Sequence, residues 1–528
     1  MREFMLLSLF VISYVASTDI RVDPLVLIKQ GLVRGRRVTD GEYSEFLGIP
    51  YANVDLEKPF GPSQEVSQFE EEVFHAYDGS TKCPQSYILP SRQDSEETLD
   101  CLKLNIYVPY KAGSTNPLPV LVFIHGGVFG FGSAGEYQVK NLVKHDIIVV
   151  TINYRLGPYG FMCLDTPLVP GNQGLKDQHA ALLWIRGNIA SFGGNPYNVT
   201  LSGQSAGASS TLLHLYSSKD KLFHKIIAES GTPQSYGMFV NGDIDAATKI
   251  AQHLGLNTSD TEEAIEFLTN TPHALVTAAA TVLNLQLRPC LEKSFSGVDN
   301  FIETDPFALS NENKVRNTPV LIGHTSQELG ADNEDYFDSD PFYTKLANSF
   351  NMNEEQLNKA ALSIRHFYIG DSPAEELLTR MADFESDFVF NHPVQRTITN
   401  LLTEKAQVYQ YVFSYVGDSD AEGARHSDDI FYLFNSANDA PVTDNDKLII
   451  DQITTIWTNF VKYGNPAPKA TDLLPVTWSP VTEDTRPYVV IDTNIRTESR
   501  IYNDRMAFWD LFYNIYGNYN KLLRICYI

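Results

Sequence analysis

VTLSGQSAG, residues 199–207, is the stretch of sequence that decides the fold. Its apolar run breaks at Gly203 and leads into small residues that begin a predicted helix over 206–216. Ser205 stands at the centre of a Gly-x-Ser-x-Gly pattern, whose glycines allow a sharp turn that exposes a serine hydroxyl at the end of a strand. The pattern therefore predicts a strand, a turn that carries a nucleophile, and a helix.

Strand-like and helix-like segments alternate over most of the chain. Nearly continuous apolar runs at 118–125 and 147–154 predict strands that are buried on both faces. Apolar residues at helical spacing predict a helix at 177–192. Further strands are expected at 225–228, 319–323 and 408–415, and a more helical insertion at 232–317 is expected to cover the site. The alternation predicts one large α/β domain with a mostly parallel sheet and helices on both faces.

Composition limits the classes of function. The chain has 528 residues, 43% of them hydrophobic, so it can bury a large core. Its formal net charge of -25 argues against binding to nucleic acid or to anionic membranes. The densest acidic group is Asp332, Glu334, Asp335, Asp338 and Asp340. A solvated loop is the favoured interpretation of this group, because the spacing matches no recognised calcium site.

The N-terminus predicts secretion. Arg2 precedes a largely apolar run at 5–12, and small residues suited to cleavage follow up to Ser17. The run is much shorter than the roughly 20 residues that a membrane-spanning helix needs. We therefore expect a signal peptide at 1–17, a mature domain at 18–528, and a soluble secreted protein with no stable membrane anchor.

Cysteines and glycosylation sequons fit that compartment. In a secreted chain, Cys83 and Cys101 are the favoured disulfide pair because they flank a polar loop. The remaining cysteines, Cys163, Cys290 and Cys526, leave at least one thiol unpaired. Of the two sequons, Asn257 lies in a polar stretch and is the expected glycan site, whereas Asn198 adjoins the nucleophile strand and is not expected to be accessible.

A glycine-rich loop follows the strand at 118–125. Residues 126–133, GGVFGFGS, bring backbone N–H groups into the open, where they could bind a developing oxyanion. The alternative is a nucleotide-binding loop, since Gly130, Gly132 and Gly135 have the Gly-x-Gly-x-x-Gly spacing. That alternative is less favoured, because the glycines begin several residues past the strand and no acidic residue ends the next strand.

Two later loops supply candidate partners for the serine. A serine hydroxyl becomes a good nucleophile when an imidazole takes its proton and a carboxylate fixes the imidazole tautomer. Glu328 follows the strand at 319–323, and His426 lies in a loop after the strand at 408–415. Their order, serine then acid then histidine, is that of α/β-hydrolases. Spacing alone leaves the other acids and histidines open.

Four motifs together resemble the type-B carboxylesterase/cholinesterase family. They are HGGVF at 125–129, GQSAG at 203–207, SQE at 326–328 and GARH at 423–426. Further matches at 100–107, 153–158 and 192–196 extend the resemblance over essentially the whole mature chain. The resemblance implies an α/β-hydrolase fold with helical insertions over the active site, and a serine carboxylesterase that acts through an acyl-enzyme.

The same motifs imply a role for each matching residue. Ser205 would be the nucleophile, His426 the general base and acid, and Glu328 the carboxylate that orients His426. The backbone N–H groups of the oxyanion hole would come from Gly127, Val128 and Ala206. The expected partner is a small-molecule ester, and no metal or organic cofactor is implied.

Departures from the family pattern bear on the substrate. Val128 replaces the usual glycine or alanine, and a β-branched residue there could narrow the acyl pocket or displace one oxyanion donor. A narrowed pocket would favour short acyl groups such as acetate. Leu329 replaces the glycine that usually follows the acidic residue. Cholinesterases bind a quaternary ammonium on a tryptophan between their first two disulfide cysteines, but no tryptophan lies between Cys83 and Cys101, and Gln204 replaces their glutamate. Neutral esters are therefore expected. The Cys83–Cys101 pair matches the family's first disulfide, and the two later cholinesterase disulfides have no counterpart.

Within the family, the chain is similar to insect secreted esterases. The similarity lies in GQSAG at 203–207, DQ at 177–178 and GARHSDD at 423–429, and these esterases include juvenile hormone esterases. An antennal or gut esterase that acts on odorant, pheromone or dietary esters is an equally favoured interpretation. The match to the hormone subgroup is incomplete, because KPF at 58–60 replaces its usual Arg-Phe region. A binding protein of the same fold with a broken triad is the non-enzymatic alternative, and a lipase is less favoured because no amphipathic lid is evident at 232–317. The sequence defines no oligomeric state.

Overall fold

A computed structural model describes residues 24–39, 41–86, 97–305, 312–330, 340–373, 376–434 and 442–521. The predicted signal peptide at 1–17, the acidic residues at 332–338 and Cys526 lie outside the described residues, so the expectations about them stay predictions. Asp340 is described, and its carboxylate caps a helix by accepting the N–H groups of Phe342 and Tyr343.

The centre of the fold is an eleven-stranded sheet. The strands of the described residues are β1 (Leu25–Ile28), β2 (Gly31–Arg34), β3 (Arg36–Arg37), β4 (Tyr43–Pro50), β5 (Ala52–Asn53), β6 (Gln64–Glu65), β7 (Val73–His75), β8 (Lys103–Pro109), β9 (Leu118–Ile124), β10 (Ile148–Ile152), β11 (Gly194–Gln204), β12 (Lys225–Glu229), β13 (Val320–Thr325), β14 (Val408–Phe413), β15 (Pro487–Ile491) and β16 (Arg496–Ser499). The order across the large sheet is β16-β15-β14-β13-β12-β11-β9-β10-β8-β4-β3. Strands β1, β2 and β7 form a small sheet, and β5 pairs with β6.

The middle of the large sheet is parallel, as predicted. The strands from β10 across to β15 pair in parallel, whereas β8, β4, β3 and β16 add antiparallel edges. Residues of β9 alternate between two cores: Val122 and Ile124 face one, and Leu121 and Phe123 face the other. This alternation explains the continuous apolar run, because both faces of a central parallel strand are buried.

Helices cover both faces of the sheet. They are α1 (Lys140–Val143), α2 (Gly157–Phe161), α3 (Gln173–Asn188), α4 (Ala206–Tyr216), α5 (Ala246–His253), α6 (Thr261–Thr269), α7 (His273–Val282), α8 (Glu312–Arg316), α9 (Pro341–Ser349), α10 (Glu354–Tyr368), α11 (Leu377–Ser386), α12 (His392–Thr403), α13 (Asp428–Phe434), α14 (Asp444–Tyr463) and α15 (Asn503–Tyr516), together with a π-helix at Asp387–Asn391. Helices α3 and α4 pack on one core, and α13 and α14 pack on the other. The predicted helix at 177–192 is α3 followed by a 3₁₀ turn, Ile189–Phe192.

The chain between β13 and β14 forms a further helical layer, with a core of its own. Helices α9, α10 and α11 pack with α15 around Trp509. The π-helix continues α11 into α12, so this layer runs directly back to the sheet. Among all the helices described, none has both the length and the apolar composition of a membrane span.

The structure contains two disulfides. The bond between Cys83 and Cys101 matches the sequence-based pairing. The second bond joins Cys163 to Cys290, a pair that was not assigned from the sequence. The two cysteines are 127 residues apart in sequence, so no local pattern links them.

A buried ion pair joins the end of β10 to α3. Both carboxylate oxygens of Asp177 lie 2.7 Å from guanidinium nitrogens of Arg155, and neither side chain is exposed. The third guanidinium nitrogen donates to the backbone carbonyls of Pro59 and Gly61, at 3.0 and 2.6 Å. Because the arginine has partners on all three nitrogens, its charge is compensated inside the core.

Candidate active site

Ser205 lies between β11 and α4 in a strained backbone conformation. Its φ of 57° and ψ of -121° lie outside the regions that side-chain-bearing residues prefer, and its N–H donates to the carbonyl of Glu229 at 2.8 Å. Glycines make the turn possible. A Cβ on Gly203 would lie 2.4 Å from the backbone of Gly207, and one on Gly207 would lie 2.0 Å from the carbonyl oxygen of Ile124. The close packing holds the turn in this conformation.

Glu328 and His426 meet in the loops after β13 and β14. Oε2 of Glu328 lies 2.5 Å from Nδ1 of His426, and the other carboxylate oxygen accepts the N–H of Thr325 at 2.8 Å. The backbone N–H of His426 also donates to the carbonyl of Glu328 at 3.0 Å. Leu329 packs in the layer around Trp509, so the unusual residue after Glu328 is accommodated without removing the carboxylate from the imidazole.

The pair shifts both pKa values. Burial acts to raise the pKa of Glu328, but the charge and hydrogen bond of His426 outweigh it, and the pKa lies below its ordinary value. Burial acts to lower the pKa of His426, but the carboxylate of Glu328, with those of Asp429 and Asp428, raises it above its ordinary value. The site therefore favours a carboxylate beside an imidazole that can hold a proton.

Gln204 brings the strand that precedes Ser205 into contact with the imidazole. Its Nε2 lies 3.2 Å from Nε2 of His426 and donates to Oγ of Ser427 at 2.8 Å. Within the described residues, no hydrogen bond joins Oγ of Ser205 to the imidazole. The structure thus brings Ser205, Glu328 and His426 into one site, and it adds an amide contact that the sequence did not predict.

Phe390 covers the imidazole from the helical layer. Its ring centroid lies 4.6 Å from that of His426. Phe390 belongs to the π-helix, whose extra residue per turn changes which side chains face the site. This contact could not be predicted, because no sequence signal distinguishes a π-helical turn from the α-helices on either side.

The glycine-rich loop after β9 lies beside Ser205. A Cβ on Gly126 would come within 3.1 Å of Cβ of Ser205, so the two backbones approach closely. Both Val128 and Phe129 have positive φ values, 48° and 59°. A positive φ is strained for residues with a side chain, and most of all for a β-branched residue such as Val128. The backbone N–H groups of Gly127, Val128 and Ala206 find no hydrogen-bond acceptor within the described part of the chain.

Two further buried carboxyl groups, those of Glu229 and Asp429, lie near the Glu328–His426 pair. Glu229 accepts from Oγ of Ser202 at 3.0 Å and from the indole of Trp457 at 3.2 Å, and burial together with Asp429 raises its pKa well above the ordinary value. Burial and the neighbouring Glu328 raise the pKa of Asp429 to about 7. Neither residue was predicted as part of the site, because buried carboxyl groups have no distinguishing spacing in the sequence.

Other predicted sites lie elsewhere on the molecule. Asn257 is exposed, as a glycan acceptor requires. Asn198 is half-buried, and its side-chain amide oxygen accepts a hydrogen bond from Nζ of Lys225. No group of three His, Cys, Asp or Glu side chains in the described ranges is arranged to hold a metal ion.

Comparisons with known proteins show the family. The model of the carboxylesterase family matches residues 22–509. The chain is 31% identical over 491 residues to juvenile hormone esterase of Heliothis virescens, covering 83% of this chain and 85% of that protein. It is 28% identical to a carboxylic ester hydrolase of Bombus ignitus, with 91% of each chain covered.

A solved structure shows the same fold. The crystal structure of juvenile hormone esterase from Manduca sexta, with OTFP covalently attached, superposes with a TM-score of 0.82 at 29% identity. The match covers 93% of this chain and 100% of that one. The predicted α/β-hydrolase fold is thereby confirmed.

Proposed function

Because the chain belongs to the carboxylesterase family of carboxylic ester hydrolases, we propose that it hydrolyses neutral esters with Ser205, His426 and Glu328 as its catalytic triad. The observation that carries the proposal is the contact between Glu328 and Nδ1 of His426 beside the strained turn of Ser205. These are the parts that acyl transfer through a serine requires: a nucleophile, a base and a carboxylate that orients the base.

Acylation begins when Oγ of Ser205 attacks the carbonyl carbon of the ester. The hydroxyl proton passes to Nε2 of His426, and the resulting imidazolium is stabilised by the carboxylate of Glu328. The tetrahedral intermediate carries its negative charge on the former carbonyl oxygen. When it collapses, the C–O bond to the alcohol breaks, and the alcohol leaves with the proton from His426.

Deacylation repeats the same steps with water. His426 takes a proton from a water molecule, the hydroxide attacks the acyl carbon, and Ser205 leaves with the proton while the carboxylic acid is released. In both stages, the N–H groups of Gly127, Val128 and Ala206 would donate to the oxyanion. Their lack of an acceptor among the described residues supports this role, because preorganised free donors stabilise charge that develops in the transition state.

The substrate is proposed to be a small neutral ester with a short acyl group. Val128 would restrict the acyl side, and Gln204 provides no negative charge for a quaternary ammonium. We therefore expect acetylcholine to be hydrolysed slowly relative to neutral esters of similar size. Odorant or pheromone acetates fit this class.

Juvenile hormone esterase activity is the second candidate function. It is favoured by the similarity to the Heliothis virescens enzyme and to the Manduca sexta structure. The two candidates differ in the substrate that should be preferred, an acetate ester in one case and juvenile hormone in the other. Direct comparison of the two substrates by kcat/KM distinguishes them.

Secretion is proposed on the strength of residues 1–17. The protein would lose this leader and act outside the cell, with a glycan on Asn257. Sequencing the N-terminus of protein recovered from the medium of expressing insect cells tests the proposal. A mature chain that begins at residue 18 is expected, and retention of residues 1–17 in cell-associated protein would contradict it.

The proposed function is tested with a p-nitrophenyl ester series of increasing acyl length. Turnover is expected in the unmodified protein, to be greatest for short acyl chains, and to be abolished by Ser205→Ala. Ser209→Ala is the matched control, because it removes a buried hydroxyl from α4, the helix that follows Ser205, without touching the proposed triad. Equal activity in the Ser205→Ala variant and the unmodified protein would refute the proposed nucleophile.

A further inference from the structure

Hydrogen-bond chemistry determines how the Gln204 amide faces His426. The Glu328 carboxylate can only accept, so Nδ1 of His426 carries a proton and, in the neutral imidazole, Nε2 has a lone pair. A group 3.2 Å from that lone pair must therefore be a donor, which identifies it as the amide nitrogen of Gln204. The second N–H of the amide donates to Oγ of Ser427 at 2.8 Å.

Packing keeps the Gln204 side chain in this place. The residue is 6% exposed and ends strand β11, directly before Ser205. A Cβ on Gly126 would lie 2.8 Å from both the backbone and the side-chain oxygen of Gln204, so the glycine-rich loop passes close to the oxygen end of the amide. The contact therefore depends on three segments: β11, which ends at Gln204, the glycine-rich loop, which carries Gly126, and the loop after β14, which carries His426.

The same lone pair is needed for the reaction. Nε2 of His426 must accept the proton of Ser205, yet in the structure it accepts from Gln204, and within the described residues Ser205 makes no hydrogen bond to it. We propose that Gln204, oriented by Ser427, is a positioning residue that holds Nε2 of His426 as a neutral acceptor and gives it up to the Ser205 hydroxyl when an ester binds. This inference rests on the proposed function of the site.

The direction in which the Gln204 amide shifts the protonation of His426 depends on which form of the imidazole the amide stabilises. A hydrogen bond donated to the lone pair stabilises neutral imidazole, because the protonated ring has no lone pair at Nε2. The Gln204 amide thus favours the form that acts as a base. Removing the amide should move protonation of His426 to higher pH, and a carboxylate in its place should move it further.

The carboxylates around the imidazole favour its protonated form, whereas the Gln204 amide favours the neutral form. None of these carboxylates is changed in the variants of the test. Glu328, Asp428 and Asp429 favour the protonated ring. Arg425 acts on Asp428, His324 on Glu328, and Glu229 lies beyond Asp429. Phe390 from the π-helix and Gln204 from β11 also contact the imidazole, and both are uncharged.

The test is the pH dependence of kcat/KM for a neutral ester. Gln204→Met keeps the length of the side chain but cannot donate a hydrogen bond. In this variant the acid limb, the pH range in which kcat/KM rises with pH, should move up by about 0.5 to 1 pH unit. Ser427→Ala should give a smaller shift in the same direction, because the amide loses the acceptor that orients it. Gln204→Glu should shift the limb by more than about one unit, because an anion stabilises the imidazolium.

Gln178→Met is the matched control. The Gln178 amide also contacts a buried histidine and a serine hydroxyl, with its oxygen 3.0 Å from Nε2 of His214 and its nitrogen 3.2 Å from Oγ of Ser210. This control should leave the acid limb where it is. An unchanged limb in both Gln204→Met and Ser427→Ala, or an equal shift in the control, would overturn the proposal.

A second readout does not depend on turnover. NMR titration of the His426 ring in isotopically labelled Ser205→Ala protein should show the same upward shift when Gln204→Met is added. If the unmodified protein hydrolyses no ester, the proposed function fails while this titration still decides the role of Gln204. If esters are hydrolysed but neither the titration nor the acid limb moves, only the role of Gln204 fails.

Discussion

Oε2 of Glu328 lies 2.5 Å from Nδ1 of His426, and the carboxylate is fully buried while 26% of the imidazole side chain is exposed. The carboxylate therefore acts on one edge of the ring, and the ring's other edge remains open to reacting groups. A buried carboxylate is strongly coupled to the protonation of an imidazole that it contacts. The protonation of His426 is accordingly the property of this site that is most open to measurement.

Replacing Glu328 by glutamine should remove most of the activity. The glutamine amide would donate toward Nδ1, so the imidazole would adopt the other tautomer and could no longer accept the proton of Ser205. We expect kcat to fall by about 10³- to 10⁴-fold with the fold intact. Glu385→Gln, which changes a buried carboxylate beside Lys345, is the control. A loss of less than tenfold in Glu328→Gln would contradict the role.

The acid limb of kcat/KM should have a midpoint above about 6.5, the ordinary pKa of histidine. Because Glu328 outweighs burial and raises the pKa of His426, the ring is protonated over more of the acidic range, and a protonated ring cannot act as the base. Activity should therefore rise with pH through this midpoint. Steady-state rates between pH 5 and 9 on an ester without a titratable group measure it, and a midpoint below about 6 would exclude the expected direction.

Val128→Gly should relieve strain and broaden acyl specificity. The positive φ of Val128 costs on the order of 1 to 3 kcal/mol, against which a glycine loses roughly 1 kcal/mol through the unfolded state. Stability in urea unfolding should therefore be unchanged or higher, and esters with longer acyl chains should gain kcat/KM relative to acetate. Val128→Ala should give an intermediate acyl profile. An unchanged profile in Val128→Gly would show that Val128 does not limit the acyl group.

Asp177→Asn should destabilise the protein without altering the chemistry of the site. The substitution leaves the fully buried guanidinium of Arg155 without its counter-charge, a change that costs about 3 to 5 kcal/mol. The free energy of unfolding from urea titration should fall by that amount, while kcat per folded molecule is retained. Lys144→Met, which breaks an exposed pair with Asp451, should cost less than about 1 kcal/mol. Equal losses in the two variants would contradict the argument.

Much of the sheet and the positions of the motifs could be predicted because their signals are local. The apolar run at 118–125 became β9, and the helix predicted over 206–216 is α4. Ser205 was identified by the residues that immediately flank it. Glu328 and His426 needed the family resemblance as well, because loops after strands contain many acids and histidines.

Contacts between distant segments could not be predicted. Cys163 pairs with Cys290 across 127 residues, and Phe390 reaches His426 through a π-helical turn that has no pattern of its own. Gln204 appeared in the sequence only as a departure from a cholinesterase motif. Its contact with His426 joins residues 222 positions apart.

The sequence by itself therefore determined the fold class and the chemical groups of the site, because hydrophobic periodicity and glycine-flanked turns act over a few residues. Only the tertiary structure decided which of those groups meet and in which direction the pKa values of Glu328 and His426 shift. Strands β11, β13 and β14 run in the same direction and end on the same side of the sheet. Gln204 at the end of β11 therefore lies beside Glu328 and His426, which are in the loops after β13 and β14. Burial there then sets their hydrogen bonds and charges, and burial depends on the packing of the whole chain.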